Sequence, residues 1–133
     1  MGKLEEAKGI LTAIGMPKAQ TNDRSAYVLL ALSNLFEGSA WSKAEKLSMR
    51  IVDMMSFMSQ NYEKRYKPNT RETIRKYTIH QFVDSAIAER STDSADQPTN
   101  SPNYGYHLTN EMLSLVQTYG RAGSSVSLTS KAN

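Results

Sequence analysis

Between residues 68 and 108 the hydrophobic period of this chain changes from that of a helix to that of strands, which restricts the folds open to it. Asn69-Thr70-Arg71-Glu72 reads as a helix start, with Asn69 as cap, Glu72 at the third position and Pro68 fixing the approach. The helix is expected to run to about residue 87. Residues 86–90 and 104–108 then read as two short strands. They are joined by the polar stretch 91–103 with its Pro98 and Pro102, so they form a long hairpin. Thr109 caps a last helix to about residue 119, with Leu108 and Leu113 placed for a hydrophobic staple.

Helices come first. Leu4, Ala7, Leu11 and Ile14 line one face of a helix over about 3–14, which Gly15 stops and Pro17 keeps from resuming. A second helix begins near Asp23. Its run Tyr27-Val28-Leu29-Leu30-Ala31-Leu32 is apolar almost all round, as a central helix covered by its neighbours must be. For a third helix, Ser42 and Glu45 have the spacing of a capping box, followed by the stripe Leu47, Ile51, Met55, Met58 and Tyr62. The methionines between 49 and 58 read as core filling rather than an adaptable groove.

Helices, a basic helix and an immediate hairpin follow the order of a winged helix-turn-helix, whose second paired helix lies in the major groove of DNA. The expected fold is mainly α, with extra N-terminal helices, a two-stranded β-hairpin wing and a C-terminal helix. One feature strains the pattern, because residues 63–68 exceed the usual tight turn. The domain is expected over 1–120, with 121–133 as a flexible tail or linker built around Gly123-Ser124-Ser125.

Charge is concentrated. Across residues 63–76, Lys64, Arg65, Lys67, Arg71, Arg75 and Lys76 oppose only Glu63 and Glu72, a local +4 in a chain whose total is +3. The rest of the chain is therefore slightly acidic, and the block has the form of a footprint for a polyanion. A solvated helix face would carry the same run.

Stepping along 70–87 at about 100° per residue, Ile79, Phe82, Val83 and Ala86 gather on one side, with Ile74 and Thr78 at its edge. Thr70, Thr73, Lys76, Tyr77, His80 and Asp84 gather on the other. That second set is rich in donors, as a surface facing base edges and phosphate oxygens must be. Arg71 and Arg75 fall between the faces and are assigned to phosphate or base contact. The helix start favours a phosphate near Asn69 and Lys67, although Glu72 could satisfy the same amides. On the hairpin, Arg90, Asn100 and Asn103 are candidates for backbone contact, while Asp93 and Asp96 would be repelled by it. His107 reads as a surface or satisfied histidine and Trp41 as a packing anchor.

Several functions are disfavoured. The chain is 133 residues long, 39% apolar and 22% charged, and has no cysteine, so disulfide frameworks and thiolate metal sites are excluded. No run of eighteen apolar residues suggests a membrane span, and the start lacks a signal-peptide core, so a cytoplasmic location is expected. The phosphate-loop, dinucleotide, nucleophile-elbow and zinc-protease motifs are missing. Glu6-Ala7-Lys8 has no upstream Asp to complete a nuclease metal site and reads as helix surface.

Residues 66–83 resemble the amino-terminal helix-turn-helix domain of BsuBI/PstI-type restriction endonucleases. The likeness rests on Pro68-Asn69-Thr70-Arg71-Glu72-Thr73, Arg75 and His80-Gln81-Phe82-Val83, and again on Pro98-Thr99-Asn100-Ser101-Pro102 and a helix ending Tyr119-Gly120. It implies a domain that helps a type II enzyme recognise double-stranded DNA, acting as a dimer at a palindromic site, and makes the expected cytoplasm a prokaryotic one. Magnesium-dependent cleavage would belong to a separate carboxy-terminal domain not contained in this chain, which itself would need no cofactor and catalyse nothing alone. Lys76 and Tyr77 stand where the family pattern has Arg and Gln, so the likeness does not carry over which bases are read. A stand-alone regulator or controller of a restriction locus, and a protein-interaction domain, are the alternatives.

Overall fold

The computed structural model describes residues 2–91 and 105–121. Helix α1, Lys3–Ala13, buries Ala7, Ile10 and Leu11 against α2, Asp23–Ser33. Gly15 closes α1 at φ 95°, where its amide and that of Met16 return to the carbonyls of Thr12 and Leu11. This positive φ is one that glycine adopts without steric cost. In α2, Asn22 caps the start by accepting from the Ser25 amide at 2.8 Å. Val28, Leu29, Leu30, Ala31 and Leu32 are all fully buried, so α2 is the axis of the core, as its all-round apolar run requires.

The third helix starts later than its sequence signal suggests. Ser42 lies in a single 3₁₀ turn, Trp41–Lys43, rather than at a helix cap. Glu45 instead accepts from Asn34 Nδ2 at 2.8 Å, and its amide donates to the Ser33 carbonyl. The reason is tertiary: Met49 pairs with Tyr106 through two backbone bonds of 2.8 Å, which requires extended chain just where a helix from Ser42 would run. Helix α3, Ile51–Tyr62, opens where Asp53 accepts from the Arg50 amide at 2.9 Å. Its buried residues are Ile51, Met54, Phe57 and Met58, while Leu47 stands outside the helix and exposed.

The connector to α4 is longer than a tight turn, and its backbone is accommodated by local bonds. Glu63 is left-handed at φ 54°, the Lys64 amide reaches the Met58 carbonyl, and Thr70 and Arg71 donate back to Lys67 and Pro68. Helix α4 is continuous through Thr70–Ile74, Arg75–Ile79 and His80–Asp84, and its middle segment is a π turn in which the His80 amide bonds the Arg75 carbonyl. Ala86, at φ 61°, ends the helix, its amide donating to Val83 and that of Ile87 to Phe82.

Strands β1, Ala88–Arg90, and β2, Tyr106–Leu108, are antiparallel, with Ala88 opposite Leu108, Glu89 opposite His107 and Arg90 opposite Tyr106. Strand β1 starts later than the sequence suggests because Ala86 is spent on stopping the helix. Met49 joins the other edge of β2, so the hairpin is part of a three-stranded antiparallel sheet. Thr109 then caps α5, Asn110–Arg121, accepting from the Met112 amide at 3.1 Å and donating to the Ala86 carbonyl at 2.8 Å. Its Met112 and Val116 complete the core. The order α1, α2, edge strand, α3, α4, β1, β2, α5 is a winged helix-turn-helix with an added helix at each end. No helix among the described residues is long and apolar enough to cross a membrane.

Candidate nucleic-acid interface

Helix α4 is anchored through one side. Ile74, Thr78, Ile79 and Phe82 are buried, and α3, α2 and β1 pack around them. Ile74 and Ile79 are five residues apart, about 140° in a regular α-helix, yet both are buried. The π turn closes that angle by adding a residue to the turn.

The same turn changes the face read from the sequence. Val83, expected inward, is 39% exposed, and Ala86 is exposed beyond the helix end. Thr78, expected at the edge, is fully buried. Val83 is thus an exposed apolar group on α4.

On that outward side lie Arg71, Arg75, Lys76, Tyr77 and His80, all exposed. The Lys76 ammonium sits 5.4 Å from the Tyr77 ring centre, and Tyr77 is 50% exposed. His80 Nε2 is 3.3 Å from Asp84 Oδ2, one turn on. Thr70 and Thr73 are half-buried, while Asn69 and Lys67 are exposed where the connector meets the helix. Arg90 is exposed on β1. Asn100 and Asn103 lie outside the described residues.

The capping box expected at the start of α4 does not form. Asn69 has helical φ and ψ of −69° and −11° and makes no side-chain cap bond. Glu72 turns forward to Arg75 instead, with Arg75 Nε 3.1 Å from each carboxylate oxygen. Hydrogen bonding to Arg75 holds the Glu72 carboxyl below the ordinary carboxylate range. The first amides of α4 therefore have no carboxylate folded over them.

Between α3 and α4, Val52, Met55, Tyr66, Pro68 and Arg71 line a cleft of roughly 280 Å³. Lys64 lies 4.9 Å over the ring of Tyr66. Burial pushes the pKa of the Tyr66 phenol upward.

Two constellations escape a reading of the sequence. Arg24, on α2, donates from Nε to Thr78 Oγ1 at 2.9 Å across 54 residues of chain. Beneath the hairpin, His107 Nδ1 is 3.0 Å from Ser91 Oγ, which is 2.6 Å from Ser48 Oγ, and His107 Nε2 is 2.9 Å from Glu89. This row ties the strand residues together, so His107 is a satisfied histidine. Trp41 is the expected anchor: its indole donates to Glu6 at 2.8 Å and meets Tyr119 edge-on. Glu6 is thereby engaged in packing.

A sequence profile of the BsuBI/PstI restriction endonuclease HTH domain matches residues 1–131. The chain belongs to this family. It is 45% identical over 116 residues to the type II restriction enzyme BsuBI of Bacillus subtilis, spanning 87% of this chain and 37% of that protein. Against the type II restriction enzyme AplI of Arthrospira platensis, identity is 32% over 123 residues, covering 92% of this chain and 38% of the other. The solved structure of SdaI restriction endonuclease superposes with a TM-score of 0.87 at 28% identity, over 95% of this chain and 40% of that one. The chain thus spans about two-fifths of the length of the restriction enzymes it matches. Membership agrees with the winged helix built above from the residues.

Proposed function

We propose that this chain is the DNA-reading part of a type II restriction enzyme and recognises a defined sequence in double-stranded DNA. What supports this most is the face of α4 bearing Arg71, Lys76, Tyr77 and His80, exposed as a set on a helix whose opposite face is fixed in the core. A long-range cationic field brings the duplex in, and fixed donors on a rigid helix then distinguish base edges. Lys76, Tyr77 and His80 are the donors for base edges, while Asn69, Thr70, Lys67, Arg71 and Arg75 flank them and reach backbone oxygens, with Thr73 beside them at the groove edge. Arg90 approaches the neighbouring phosphates from the hairpin, and Asn100 and Asn103 extend that contact.

Phosphodiester cleavage belongs in this reading to a separate, magnesium-dependent domain joined in cis. This chain binds DNA without a metal and cuts nothing by itself. Residues 1–120 form the binding domain and 121–133 the passage to the rest of the enzyme, in the cytoplasm of a prokaryote. Two copies bind a palindromic site, one per half.

Selection from a pool of random duplexes, in the presence of a chelator, tests the reading. An enriched motif with two-fold symmetry is the expected result. Affinity should also fall steeply with salt, with a logarithmic slope of about 0.9 for each phosphate neutralised. A pool that stays random, together with a flat salt response, would favour a protein-interaction domain.

A further inference from the structure

The geometry points to Arg24 as a positioning residue for base discrimination: its bond to Thr78 holds the π turn of α4 and so sets the angle at which Lys76 and Tyr77 face DNA relative to His80. This inference rests on the DNA-reading role proposed above.

Thr78 is fully buried and lies inside the π turn Arg75–Ile79. A threonine hydroxyl within a helix ordinarily donates to a carbonyl one turn back on its own helix. Here it accepts from the Arg24 Nε of another helix at 2.9 Å. The bond is charge-assisted and directional, since the guanidinium is planar and Nε points one way. It therefore fixes where residue 78 sits relative to α2, and with it the path of the turn.

Such a pair is a poor device for stability alone. Replacing both members of a polar pair by apolar groups of the same shape is often neutral or favourable, and here only Thr78 is buried while Arg24 is half-exposed. What the pair does specify is one helical phase among two. If the extra residue of the turn were absorbed into regular α-helix, every side chain beyond it would rotate by about 100° relative to those before it. Lys76 and Tyr77 lie within the turn, His80 directly follows it, and Val83 lies beyond it. A guanidinium carried by α2 thus governs how the outward face of α4 is assembled.

Thr78→Val, Thr78→Ser and Arg24→Met in the full chain test this. Each is measured for thermal stability, for binding to the enriched duplex and a scrambled one, and for backbone NMR contacts across residues 74–81. Thr78→Val should melt somewhat below the wild type, because the Arg24 guanidinium loses its acceptor, and bind scrambled DNA with unchanged affinity and salt slope. Its preference for the enriched duplex should drop roughly tenfold, within the range by which a side chain outside a site modulates it. Its amide contacts should shift from the five-residue to the four-residue pattern. Thr78→Ser should keep both preference and pattern, and Arg24→Met should repeat the valine result, which also covers a valine variant that fails to fold.

Preserved preference in Thr78→Val and Arg24→Met, or equal weakening on both duplexes, would overturn the positioning role. So would an unchanged NMR pattern, which reads the turn without DNA. A wild type that itself shows no preference, while the pattern shifts as described, places the failure in the DNA-reading role and leaves Arg24 controlling only the helical phase.

Discussion

Arg75 and Glu72 are locked together on the exposed surface of α4, the guanidinium Nε lying 3.1 Å from both carboxylate oxygens. An exposed cation of α4, assigned to phosphate contact in the proposed reading, is therefore neutralised by its own helix, one turn back. Each partner holds the other in its charged form, Glu72 pulled down and Arg75 pushed up. At neutral pH the pair is fully ionised, and a phosphate approaching Arg75 competes with a carboxylate already in place.

Glu72→Gln removes that competitor without changing the side chain's length. Affinity for unrelated duplex DNA should rise several-fold at low salt, and the logarithmic salt slope should steepen by about one contact. Filter binding over a salt series checks both. An unchanged slope would place Arg75 away from phosphate.

Lys76 and Arg71 should differ in kind. Lys76, over the Tyr77 ring on the exposed side of α4, faces base edges in the proposed reading. Arg71 borders the cleft at the α3–α4 elbow, nearer the helix start. Lys76→Ala should cost about 1–3 kcal/mol on the preferred duplex and little on a scrambled one. Arg71→Ala should weaken both alike and flatten the salt slope. Titrations of the two variants on matched duplexes separate the outcomes, and identical behaviour would merge the two roles.

A third expectation concerns stability. Three helices end with the same pair of backbone bonds around a residue of positive φ: Gly15 at 95°, Asn34 at 56° and Ala86 at 61°. Glycine and asparagine tolerate that conformation, whereas the alanine Cβ crowds the following carbonyl. Ala86→Gly should therefore stabilise the fold by about 1 kcal/mol, net of the added freedom of the unfolded chain. At roughly 4 °C per kcal/mol for a chain of this size, thermal melting resolves it. A lower melting temperature would mean that the Ala86 methyl makes packing contacts worth more than the strain.

The legible and the hidden parts of this fold divide along physical lines. Helices α1 and α2 were readable because Leu11, Gly15 and the run 27–32 act through their own neighbours in the chain. The Ser42–Glu45 signal misled because Met49 must stay extended to pair with Tyr106, a partner 57 residues away whose pull no local pattern records. In α4 a regular 100° step places Lys76, Tyr77 and His80 outward correctly. It fails at Val83 because the intervening π turn adds a residue, which no local pattern in the sequence records. The box at Asn69 failed for a local reason, since Arg75 offers Glu72 a full opposite charge in place of a backbone amide.

The start of α3 gives the last prediction, a pH dependence of known sign. Asp53 accepts from the Arg50 amide at 2.9 Å and from its guanidinium at 3.0 and 3.1 Å. The Arg50 side-chain bond is the largest cause holding the Asp53 carboxyl below its ordinary range. A carboxyl depressed in the folded state stabilises the fold fully above its unfolded value and loses that contribution as pH falls through the folded value. The pair faces solvent, so its contribution is small. Asp53→Asn should accordingly melt slightly below the wild type at pH 7. The gap should narrow as pH drops through and below the normal carboxylate range, because protonation removes from the wild type what the substitution has already taken away. A gap that stays constant down to acid pH would show that Asp53 contributes through its shape and neutral hydrogen bonding rather than through its charge.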